Sequence, residues 1–320
     1  MKPFRRRPYR GYLYIACAAA LWGVAATLGR AAFTGRVLGS AQVLRPIDPL
    51  ILSQCRTTFS FLIFFVALAW KRGLASLRLP WREVWKIALL GLLGVAASNY
   101  LYYLAIQRTN VATAIIVQYT APIWVLLYAV ASGAQKFTAQ RVIAVALAIL
   151  GIAMVIGLFS GRHIDLDKIG VVAALLAAFS YAFYNIAGYD LVERIDRWTV
   201  LLYATLSASM FWIFVNPPGK IVSAHYSSGQ WLFLLVFAIV SMLGPFSFYF
   251  AGLQHLEPTR AIVVSCLEPV FSILIAAAAL GEAIHFSQAV GIGMVLAGIL
   301  VTQRPDRHSV KMGREIAPIQ

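Results

Sequence analysis

The sequence predicts an all-α membrane protein with ten transmembrane helices in two inverted five-helix repeats. The chain is 61% hydrophobic and 12% charged, with a mean hydropathy of +0.78. A soluble domain cannot bury that much apolar surface. The apolar residues form ten runs, 12–33, 49–70, 84–106, 111–131, 138–158, 169–188, 198–215, 230–253, 260–280 and 286–301, each near the ~20 residues that cross a hydrocarbon core. Finally, sliding the chain by 147 residues lays the third to fifth runs on the eighth to tenth without a gap.

The first run follows the basic tail MKPFRRRPYR and so has the start of a signal peptide. It continues past any cleavage position, so it reads as a spanning helix. The net charge of +15 raises nucleic acid as a partner and the distribution dismisses it, because the cations sit in short connections and tails. One set of alternate connections carries 19 Lys and Arg and the other carries six, while Arg30 and Arg56 lie within runs. The excess marks the cytoplasmic side, which places both termini there in a multi-pass inner-membrane protein. Cys17, Cys55 and Cys266 all fall in apolar runs and read as small buried hydrophobes without disulfide or metal spacing.

At the 147-residue offset Tyr102 meets Tyr249, Gln107 meets Gln254, Pro122 meets Pro269 and Gly151 meets Gly298. Near the start of each half the offset becomes 159, where Gly11 meets Gly170 and Trp22 meets Tyr181, so the first half carries a 12-residue insertion, assigned to the 34–47 loop. The repeats are residues 12–158 and 169–303, between a basic tail at 1–11 and another at 304–320. Five spans per repeat is an odd number, so the second must enter the membrane inverted about a pseudo-two-fold axis.

Together these features resemble the drug/metabolite transporter superfamily, specifically its EamA-type members. The resemblance rests on Leu21-Trp22-Gly23, on Arg56 early in the second run and on the hairpin of the third and fourth runs. In the second half it rests on Glu268-Pro269, Leu280-Gly281-Glu282, and Gly291 with Gly298. It implies ten helices in two inverted repeats and movement of small metabolites. The first half departs from the pattern: Ala121 stands opposite Glu268 and Gln135 opposite Glu282.

Glu268 is the leading functional candidate, since a carboxylate well inside an apolar run costs about 2.5–3.5 kcal/mol on insertion scales. Pro269 beside it removes an N–H and bends the helix. Arg56 enters from the other face to a depth within ~6–8 Å of Glu268, counted at 1.5 Å per residue. The two are expected to share one site, with Glu268 accepting a proton and Arg56 alternately pairing with it and holding an anionic substrate group. Structural capping at the proline bend is the alternative. Trp22, Tyr103, Tyr181, Asn99, Gln118, Asn185 and Ser265 are expected to line the site, and Tyr100, Tyr184, Phe246, Tyr249 and Phe250 of the third, sixth and eighth runs recur with them, with packing between helices as the alternative for each. Pro122, Pro269 and Pro245 are the expected hinges; the Ala97-Ser98 pair opposite Gly244-Pro245 lacks a proline, so the two hairpins should differ in stiffness. Ala144, Ala148, Gly293 and Ala297 form four-residue small-residue spacings that suit close packing or a homodimer. Arg30 is assigned to the headgroups, with a pocket-facing role as the alternative, and Glu282 and His285 to a solvated turn, with a gating or structural role as the alternative.

The sequence has no phosphate-binding loop, metal pair or serine-nucleophile motif, so neither enzyme chemistry nor a cofactor is expected. The reading is a secondary transporter that moves a small, amino-acid-like or similarly amphipathic solute by alternating access. It is either proton-coupled or an uncoupled facilitator. The alternative from another class is a non-transporting membrane scaffold or sensor.

Overall fold

The computed structural model describes residues 7–34, 46–109, 111–158, 167–280 and 283–303. Residues 35–45 of the assigned insertion, with Arg36 and Arg45, lie outside these residues, as do Arg162, Gly281-Glu282, most of the N-terminal tail, the C-terminal tail and the Arg30 side chain. The described residues are all-helical, without a strand. They form α1 (Pro8–Thr34), α2 (Pro49–Arg72), α3 (Trp81–Arg108), α4 (Val111–Gln118 and Ala121–Ala131) and α5 (Ala139–Val155). These are followed by α6 (Lys168–Arg194), α7 (Arg197–Val215), α8 (Ser228–Leu253), α9 (Pro258–Ser265 and Leu267–Leu280) and α10 (Phe286–Gln303). Among the described residues nine helices are long and apolar enough to cross a membrane, and α5 is an apolar helix of 17 residues.

Several helix starts are written in the sequence. Asp48 accepts from the amides of Leu50 at 2.8 Å and Ile51 at 3.1 Å. Asp167 caps α6 through Gly170 at 2.9 Å, and Asp196 caps α7 through Thr199 at 3.3 Å. Ser227 and Gln230 form a reciprocal capping box on α8. Each cap satisfies amides that the helix itself leaves open.

α1 and α6 are the central helices. α1 packs against α8 and α9, and α6 packs against α3 and α4. Both can sit there because their inner faces are alanine: Ala18 and Ala19 in α1 and Ala177 and Ala178 in α6 are fully buried, which lets neighbouring backbones approach closely. One contact occurs in both halves. Gly11 lies under His255 and Leu256 at the α8–α9 turn, and Gly170 lies under Arg108 and Thr109 at the α3–α4 turn. α2 packs on α7, where buried Asn216 donates to Gln54 at 2.7 Å.

The α3–α4 and α8–α9 hairpins are irregular at matching places. α3 widens into a π-helix over Leu90–Ala96 and α8 over Ile239–Leu243. α4 breaks at Tyr119-Thr120 and α9 at Cys266. A stiffness difference between the hairpins was expected from Pro245, yet α3 carries the longer π stretch with no proline at Ala97-Ser98. The backbone irregularity therefore does not depend on the proline.

α5 and α10 lie backbone to backbone. A Cβ on Gly151 would meet the Gly291 carbonyl oxygen at 2.7 Å, and one on Gly291 would meet that of Gly151 at 2.6 Å. Ala144 and Ala148 face Gly298 in the same contact, whereas Gly293 has nothing within 4 Å. The small-residue stripe expected to serve packing or a dimer is thus largely occupied within one chain. Gly151→Leu is expected to cost about 1–3 kcal/mol through overpacking and Gly293→Leu almost nothing, read as unfolding temperatures of the purified protein; equal shifts would contradict this contact.

The start of α1, the end of α10 and the 71–80, 132–138, 195–196 and 254–257 connections gather at one basic end. Tyr12 bonds Thr302 at 3.2 Å, Arg72 pairs with Asp196 at 2.7 Å, and Arg197 donates to Gln254 at 3.0 Å. Gln135 donates to Glu257 at 3.1 Å and accepts from Thr259 at 3.0 Å. His255 closes the same end: its Nδ1 accepts from the Arg7 amide at 3.4 Å and its ring stacks on Tyr14 at 5.9 Å. Burial, then the cations Arg10, Arg197 and Arg7, hold this imidazole below its ordinary value. The folded state therefore binds this proton more weakly than the unfolded chain does. The stability it contributes is complete above the ordinary histidine range and is lost as pH falls through the lowered folded value. The unfolding temperature should fall more steeply from pH 7 to pH 5 in the native protein than in His255→Gln.

Candidate functional site

Polar side chains from α2, α3, α4, α6 and α9 converge beside the break in α9. Glu268 stands in the first turn of the Leu267–Leu280 segment, directly after that break, and is half-buried. Tyr119, at the break in α4, has its hydroxyl near enough to act on this carboxylate. The Arg56 guanidinium lies near enough to act on the Glu268 charge, but the two make no contact ion pair. Arg56 Nη2 instead donates to Asn99 Oδ1. Asn99 in turn donates to the Val95 carbonyl at 2.7 Å, inside the π stretch of α3. Arg56 Nε is buried without a partner among the described residues.

Tyr102, Tyr119 and Tyr181 all lie within electrostatic reach of Glu268. Tyr181 donates to Ser265 at 3.0 Å, and Ser265 donates to the Ile262 carbonyl at 2.8 Å, just before the α9 break. One helical turn along α6, fully buried Asn185 donates to the Tyr181 carbonyl at 2.9 Å and accepts from the Tyr249 hydroxyl. Aromatic rings complete this side. Trp22 meets Phe246 edge-on at 5.7 Å and Tyr249 at 5.5 Å, and Tyr184 packs between Tyr249 and Phe250 at 5.7 and 5.4 Å. The Tyr184 hydroxyl is buried without a partner among the described residues.

The expected residues therefore fall into an Arg56–Asn99 arm and a Tyr181–Ser265–Asn185–Trp22 arm, which meet at Glu268. Gln118 sits at the end of the first α4 segment and donates to Ser98 at 3.4 Å. Tyr103 packs on the Tyr102 ring at 6.0 Å and no described contact joins it to Arg56 or Glu268. Pro122 and Pro269 open the second segments of α4 and α9, and Pro245 follows the π stretch of α8. Tyr119 belongs to the cluster and stands outside the expected set, and Tyr249 joins it from the expected aromatic residues. The repeat carried a signal for both: Tyr119 is the counterpart of Cys266, two residues before Glu268, and Tyr249 is the counterpart of Tyr102. No three metal-ligating side chains gather among the described residues.

The EamA-like transporter family matches residues 9–157 and 168–304. The chain belongs to this family. Among its relatives, two proteins of Archaeoglobus fulgidus, each named an uncharacterized transporter, are 24% identical. One match covers 67% of this chain and 76% of the relative, the other 81% and 89%. The Escherichia coli protein YhbE, named an uncharacterized inner membrane transporter, is 28% identical over 42% of each chain. A crystal structure at 19% identity superposes with a TM-score of 0.75 over 92% of this chain and 97% of that one, which establishes the shared fold. The chain is thus a multi-pass membrane protein of a transporter family.

Tyr249→Phe leaves the buried Asn185 oxygen without its donor, at a cost of about 1–3 kcal/mol. Tyr103→Phe should stay within about 0.5 kcal/mol, as for a substitution away from any buried network. Thermal unfolding of the two variants compares them directly, and equal losses would remove Asn185–Tyr249 from the organising contacts.

Proposed function

We propose that the chain is a secondary transporter of a small amphipathic metabolite, amino-acid-like in its charges, working by alternating access between two inverted five-helix halves. The observation that carries the reading is Glu268 at a break in a membrane helix, next to an arginine with a free donor. Broken helices that present ionisable groups near the membrane midplane are how many transporters build their binding sites. In this reading α5 is the tenth span, and the halves are residues 12–158 and 169–303. The paired π stretches, paired helix breaks and the twofold glycine contact support the inverted repeat. The gathering of both described ends with the basic connections supports cytoplasmic termini in an inner membrane.

Arg56 engages an anionic group of the solute through Nε, and the aromatic arm around Trp22 and Tyr184 receives its apolar part. Glu268 exchanges its proton, or its interaction with Tyr119, as the halves rock, with Pro122, Pro269 and Pro245 at the flexing points. A single chain suffices as the transporting unit.

The test begins with thermal stabilisation of the purified protein against a panel of metabolites, since a ligand of the folded state raises the unfolding temperature by mass action. A hit should disappear in Arg56→Ala. In vesicles the same solute should move faster under an inward-acid gradient, and Glu268→Gln should flatten that pH dependence. Flux indifferent to pH in the native protein would favour uncoupled exchange. No flux of any stabilising solute would favour a scaffold or sensor.

A further inference from the structure

Away from the candidate site, a groove of about 210 Å³ opens between α2 and α7. Its walls are Phe61 and Phe65 of α2 and Leu202, Tyr203 and Leu206 of α7, and Leu77 and Arg78 of the α2–α3 connection form its head. The Tyr203 hydroxyl donates to the Leu77 carbonyl at 3.0 Å, fixing the connection over α7. Phe65 lies seven residues from the end of α2 and Phe61 eleven. At 1.5 Å per residue the groove therefore runs roughly 10–16 Å down from its head, the depth of one lipid leaflet's acyl region.

The head of the groove is cationic. Arg72 is engaged by Asp196 and Lys86 by Glu83, while Arg78 is exposed and makes no ion pair among the described residues. Lys71 and Arg82 flank it in sequence. Trp70, Trp81 and Trp85 surround the connection, exposed by 92%, 68% and 53%, as rings at a headgroup boundary are. An apolar slot one leaflet deep under an unpaired arginine matches an acyl chain beneath a phosphate.

We propose that this groove holds one anionic phospholipid, with a chain between Phe61, Phe65 and Leu206 and its headgroup phosphate on Arg78. With both termini cytoplasmic, as proposed above, it is a lipid of the inner leaflet. The bound chain bridges α2 of one half and α7 of the other.

The experiment is native mass spectrometry of detergent-purified full-length protein titrated with phosphatidylglycerol or with phosphatidylcholine of the same chains. The native protein should retain at least threefold more phosphatidylglycerol. Arg78→Ala should bring the ratio near one, and Leu206→Trp, which fills the slot, should lower retention of both lipids. Equal retention of the two lipids by the native protein, or an unchanged preference in Arg78→Ala, overturns the proposal. If Arg78→Ala does not fold, the native comparison and Leu206→Trp decide. Deacylated glycerophosphoglycerol supplies the headgroup alone; binding as strong as the lipid's would show an anion site only and also overturn it. A detergent sample has no sidedness and no flux, so the outcome is independent of membrane orientation and of transport.

Discussion

A backbone N–H or C=O left without a partner in hydrocarbon costs several kcal/mol, and the interior of this protein is arranged around that penalty. The chain interrupts its helices at Tyr119-Thr120 and Cys266 and widens them at Leu90–Ala96 and Ile239–Leu243. Each interruption carries a short polar side chain that turns back to a nearby carbonyl. Thr120 donates to Val117 at 2.7 Å, Ser265 to Ile262 at 2.8 Å, Asn99 to Val95 at 2.7 Å, and Ser247 to Leu243. Two of these side chains also supply the cluster. Asn99 holds Arg56, and Ser265 receives Tyr181. The repair of the backbone and the construction of the site are one set of hydrogen bonds.

The frame was legible in the sequence because hydropathy and self-similarity are one-dimensional. The ten apolar runs coincide with α1–α10 to within a few residues, except that α6 continues to Arg194, and the short helix Pro218–Ser223 lies between runs. Glu268, Arg56 and Asn99 stand together as their residue types suggested, since a polar group in an apolar run must find company. Less legible were contacts between helices whose relative rotation no pattern fixes. Tyr119 reads as one more aromatic residue until the α4 break brings it near Glu268, and Tyr103 reads as a site residue while its described contact is with Tyr102. The π stretch of α3 has no proline to mark it, since Leu90–Ala96 contains none.

The two halves share backbone geometry and divide the chemistry. Where Glu268 follows the break in α9, Ala121 follows the break in α4 and is fully buried. Gln135 has likewise become a neutral hub at the basic end, bonded to both Glu257 and Thr259. The acid stands in one half, and the other contributes Arg56, Asn99 and Tyr119 around it.

The α5–α10 contact has a mechanical meaning. Gly151 and Gly291 bring a helix from each half together with no side chain between them, so the surfaces cannot slide without colliding ridges. In the rocking proposed for the two halves, this seam serves as the fulcrum. Displacement then grows with distance from the seam, and the seam itself stays nearly still.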